Sequence, residues 1–84
     1  MSEVKTRRVT FSELLTNCGF EVFALKEHAP KLVYAFKGKL EYVYHRKRTD
    51  DGYVYVLQKE RTVFDRPQRL LQLEILGFEK KSYD

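Results

Sequence analysis

The sequence predicts an α+β fold: an antiparallel sheet of three to four strands with two helices packed on one face, in the order α-β-β-β-β-α. Three observations carry this. Apolar side chains recur at helical spacing near Phe11 and again near Leu70. Alternating runs lie between them. The longest such stretch, Leu40 to Phe64, reads as a basic hairpin folded about Thr49-Asp50-Asp51-Gly52.

The first helix opens at Thr10, whose hydroxyl can accept the backbone N–H of Glu13. Phe11, Leu14, Leu15 and Cys18 follow at i, i+3, i+4 and i+7, which places Cys18 on the buried stripe as a small apolar side chain. Asn17-Cys18-Gly19 ends the helix. Phe20 to Leu25 and Leu32 to Phe36 read as strands, separated by a turn that holds His28 and closes at Pro30. Lys37-Gly38-Lys39 is the next turn, and a third strand starts at Leu40.

The fourth strand begins at Tyr53. A three-residue turn, Asp50-Asp51-Gly52, would pair Thr49 with Tyr53 and Tyr44 with Gln58. Leu40, Tyr42, Tyr44, Val54 and Val56 would then share one face, and His45, Lys47, Tyr55 and Leu57 the other. A two- or four-residue turn shifts the pairing and swaps these partners. The polar run Gln58 to Thr62 is expected to leave the core. The second helix starts at Asp65 and has Pro67 in its first turn. Leu70, Leu71, Leu73, Ile75 and Leu76 are apolar on more than one stripe, enough to cover a sheet and leave Leu71 or Ile75 for a second contact. Glu79 to Asp84 reads as a charged tail. Both helices end in Gly-Phe-Glu, a glycine C-cap followed by a hydrophobic residue that folds back on the last turn.

At 84 residues the chain is one domain, residues 1–84, with 1–9 as a basic arm. So small a core makes homo-oligomerisation a ready source of further buried area. The single cysteine excludes an intramolecular disulfide and fits a reducing, cytoplasmic setting, and no apolar run is long enough for a membrane helix.

No sequence pattern indicates catalysis or a cofactor. One Cys and two His offer no metal-ligand spacing, the four glycines are isolated, and neither histidine has a nucleophile near it in sequence. The expectation is a non-enzymatic binding protein. Lys37, Lys39, Arg46, Lys47 and Arg48 against Glu41 give residues 37–48 a net charge of +4, equal to that of the whole chain. Basic side chains interleaved with aromatics suit nucleic acid, DNA included, because cations contact phosphates and a tyrosine ring stacks on a base. The candidate residues are Lys37, Lys39, His45, Arg46, Lys47, Arg48, Tyr53, Tyr55, Lys59 and Arg61, with Arg66 and Arg69 adding to the same field. The alternative partner is an acidic protein, docked through tyrosine and arginine.

Overall fold

The structure is a computed structural model that describes residues 10–27 and 30–81; the expected basic arm, His28 and the last three residues lie outside them. Helix α1 (Phe11–Asn17) leads into strand β1 (Glu21–Ala24). Strands β2 (Leu32–Lys37), β3 (Leu40–Thr49) and β4 (Gly52–Thr62) follow, then helix α2 (Arg66–Ile75) and a short strand β5 (Glu79–Lys81). The α+β class is as expected, but the antiparallel sheet has five strands, in the order β4-β3-β2-β1-β5. The charged tail supplies the fifth: Glu79, Lys80 and Lys81 pair with Ala24, Phe23 and Val22.

Each helix starts and stops by local chemistry. The Thr10 hydroxyl accepts the Glu13 N–H at 3.1 Å, and the Asp65 carboxylate accepts that of Gln68 at 3.1 Å. At α1's end the N–H of Gly19 reaches the Thr16 carbonyl and that of Phe20 the Leu15 carbonyl; at α2's end Gly77 reaches Glu74 and Phe78 reaches Leu73. These are two Schellman motifs, closed by glycines at φ 95° and 99°, where a Cβ would be strained. In each the following phenylalanine packs with the leucine it bonds back to, then opens a strand. The repeated Gly-Phe-Glu therefore feeds β1 and β5, which lie side by side.

The helices do not share a face of the sheet. Alternation along β1 and β2 sends Val22, Ala24, Val33 and Ala35 toward Leu15 of α1, with Tyr42 and Tyr44 of β3 beside them. It sends Phe23, Tyr34 and Phe36 the other way, toward Leu70 and Leu73 of α2. The central strands are apolar on both faces because both are covered, which corrects the expected one-sided packing.

Two further expectations change. Cys18 is the C-cap of α1 and is exposed, since the helix ends one residue before the stripe would bury it. Leu70 and Leu73 are the leucines of α2 that meet the sheet; Leu71 and Ile75 are exposed, as the sequence allowed, but Leu76, expected to help cover the sheet, is exposed as well. The inward stripe of α2 is completed by Arg66 and Arg69. Arg66 pairs with Glu21, donates to the Gly38 carbonyl at 2.9 Å and lies over the Phe36 ring. Arg69 grips both oxygens of Glu41, at 3.1 and 2.9 Å, and lies over the Tyr34 ring. These arginines bind the helix to the sheet rather than extending the basic field.

Glu41 has no solvent access and also accepts from Arg61 across the strand pair at 3.3 Å. A buried carboxylate is costly unless fully paired, so removing it strands Arg69, whose own side chain is only 19% exposed. Glu41→Ala should lower the unfolding free energy by about 3 kcal/mol. Arg61→Ala, which removes a side chain 47% exposed, should cost under about 1 kcal/mol. Urea denaturation of both variants checks the contrast.

Candidate nucleic-acid interface

The β3–β4 hairpin turns on two residues, Asp50 and Asp51, with Thr49 opposite Gly52. From the turn inward Arg48 faces Tyr53, Arg46 faces Tyr55 and Tyr44 faces Leu57. This is the pairing shifted by one from the three-residue turn. Tyr55 and Leu57 therefore lie with Tyr44 on the α1 face, and Val54 and Val56 lie opposite Lys47 and His45 on the other. A bulge between Val43 and Tyr44 then absorbs Gln58, and beyond it Val43 faces Lys59 and Leu40 faces Thr62, the pairing first expected. Residues 58–62 are exposed, outside the core as expected. They remain in β4, and Arg61 reaches Glu41.

β2 ends its pairing at Leu32 opposite His45 and Lys31 still bonds Arg46, so beyond them residues 47–54 continue as a two-stranded ribbon, three ranks or about 10 Å long. It contributes to a molecule whose longest dimension is 48 Å. Tyr55 secures its base: the ring stacks on Phe11 at 4.5 Å and the hydroxyl donates to the Pro30 carbonyl at 2.7 Å. Phe11 also meets Tyr44 edge-on at 4.9 Å. Tyr55 is thus committed to packing, and its neighbour Tyr53, 48% exposed, is the tyrosine open to a ligand among the described residues.

Where β2 gives out, the open edge of β3 borders a cleft of about 440 Å³ lined by Lys31, His45, Arg46, Arg48, Gly52 and Tyr53. The Arg46 guanidinium lies 5.3 Å from the centre of the Tyr53 ring. Two of the expected arginines, His45 and one tyrosine therefore converge, together with Lys31, which the sequence reading placed in a turn. The signal for Lys31 was the tight turn at Gly38: counting outward from Lys37 opposite Leu40 brings residue 31 alongside 46, and the Arg46 N–H does bond the Lys31 carbonyl at 2.8 Å.

The remaining candidates lie elsewhere. Lys47 is on the ribbon's opposite face, beside Val54. Lys37, whose ammonium is 5.0 Å from the centre of the Phe20 ring, and Lys39 sit at the far end of the sheet, at the β2–β3 turn. Lys59 and Arg61 lie past the bulge, near α2. The ten do not form one surface. Among the described residues no group of three or more His, Cys, Asp or Glu could hold a metal ion, and no helix is long and apolar enough to cross a membrane.

Burial pushes the Tyr55 hydroxyl above its usual value near 10, reinforced by Tyr53 and Glu27 and opposed by Arg46; burial does the same at Tyr44, with Tyr42 and Glu60 adding to it. Because the folded state holds these protons more tightly, their stabilisation is complete below pH 10 and is lost as pH rises through the folded values. Stability should therefore fall above about pH 10, and Tyr55→Phe should make that fall shallower while costing about 1 kcal/mol at neutral pH. Thermal melts from pH 7 to 11 measure both effects.

Comparison of the chain with protein-family models, with curated proteins and with solved structures finds no match.

Proposed function

We propose that this protein binds nucleic acid through the free ribbon, with the cleft beside it as the contact surface. The observation that carries the reading is the convergence of Lys31, His45, Arg46 and Arg48 around one cleft with the exposed Tyr53 in its wall. Lysine and arginine at that spacing meet successive phosphates, and the tyrosine ring offers a base a stacking surface. The ribbon is also narrow enough to enter the major groove of a duplex. No catalytic step is assigned to the site. The exposed thiol of Cys18 favours a reducing, intracellular setting, where it stays unoxidised.

A second reading has an observation of its own. Arg46 stacked on a half-exposed Tyr53 is the pairing enriched at protein-binding hot spots, and the basic ribbon would then dock on an acidic protein.

The test is titration of the full chain against a labelled duplex and a labelled single strand at two salt concentrations. Nucleic-acid binding should weaken steeply with salt. Arg46→Gln with Arg48→Gln should reduce affinity about tenfold and flatten the slope of log K against log salt by about 1.5. Unchanged affinity in the double variant, or no binding at low salt, overturns the reading. A protein partner lost on Tyr53→Ala more than on removal of either arginine would establish the second.

A further inference from the structure

The ribbon has a second edge. β4 is the terminal strand of the sheet, and over the described residues nothing pairs with its outer side. Edge strands are normally blunted by charge, proline or a bulge placed along them. From Tyr53 to Leu57 this edge has none of these: the segment is Tyr-Val-Tyr-Val-Leu, and Tyr53, Val54, Val56 and Leu57 are between 42% and 48% exposed. The charges begin only at Lys59, past the bulge.

The hydrogen-bonding phase of the edge follows from the hairpin. In a two-residue turn the flanking pair, Thr49 and Gly52, exchanges both bonds, so Val54 and Val56 also point their backbone groups at β3. The N–H and C=O of Tyr53, Tyr55 and Leu57 therefore point outward. The outward N–H of Arg46 on the opposite side of the ribbon, bonded to Lys31, has the phase this requires.

We propose that two copies of this chain pair antiparallel through β4, about a two-fold axis at Tyr55, joining their sheets into one. The segment is complementary to itself in this register. Tyr55 meets its own copy, Tyr53 meets Leu57 of the other chain, and every outward backbone group in the segment finds a partner. On the α1 face tyrosines and leucines come together; on the other face Val54 meets Val56. Charge fits as well. The register carries Lys59 of each copy alongside Asp51 in the turn of the other, a cation against a carboxylate at both ends of the seam, with Glu60 and Asp50 beyond that pair. Arg46, Lys47 and Arg48 belong to β3, a strand width of about 4.8 Å farther in, so the two basic stretches do not face each other across the junction. The two-fold axis crosses the sheet, and both copies present α1 and the basic cleft on the same side.

Sedimentation equilibrium of the full chain tests the pairing. The mass should rise with concentration from the 10.1 kDa of one chain toward twice that value. Leu57→Pro removes an outward donor without touching the bonds to β3 and should leave a folded monomer. Lys59→Glu should weaken association at least tenfold, and adding Asp51→Lys should restore it. A wild-type chain that stays at monomer mass up to millimolar concentration overturns the proposal. So does a Leu57→Pro variant that is folded by circular dichroism and still dimeric, or a charge pair that fails to rescue.

Discussion

The buried carboxylate of Glu41 sets the terms for the rest of the structure. It lies on β3 without solvent access and binds α2 through Arg69 and β4 through Arg61. Arg61 must therefore point to the α2 face. Six residues earlier on the same strand, Tyr55 must point to the α1 face to stack on Phe11. A regular strand repeats its facing every two residues and would put both on one side. The bulge that absorbs Gln58 is what allows both contacts to exist. It is placed there by two demands of opposite sign, and it divides β4 into a root locked to the core and a ribbon that runs free.

Along β4 both halves face solvent, and they differ in what they hold. Gln58 to Thr62 is polar, yet it holds the fold together through Arg61 and through its pairing with the start of β3. Tyr53, Val54, Val56 and Leu57 are apolar, yet they are as exposed as the polar run that follows them, and only Tyr55 between them is half-buried. An apolar edge and a cationic cleft on the same ribbon suit a surface that meets partners: under the two proposals above the cleft side would face a polyanion and the edge side another strand.

Much of this was legible in the residues. Both N-caps, both glycine C-caps and the alternation of β1 to β3 follow from local chemistry that tertiary context did not override. The misreadings have physical causes. Strand β5 is Glu-Lys-Lys, with no periodic signal, and exists only because Phe78 is drawn back onto Leu73 and leaves the chain beside β1. The opposed helices were hidden because strands that are apolar on both sides alternate too weakly to reveal a face. The inward stripe of α2 was missed because half of it is arginine, buried by carboxylates that are remote in sequence. The cleft was half visible: Arg46 and Arg48 stand out in the basic run, but Lys31 joins them only through the register of β2 on β3.

The central claim is that the root of the hairpin serves the fold while its free end serves a partner. Following every backbone amide of the isotope-labelled protein by NMR during titration with a short single-stranded oligonucleotide tests it most directly. The account predicts shifts concentrated at Lys31, at His45 to Arg48 and at Tyr53, with Glu41, Arg61 and Arg69 unmoved. Shifts centred on α2 and β5, or none at saturating oligonucleotide, would contradict it.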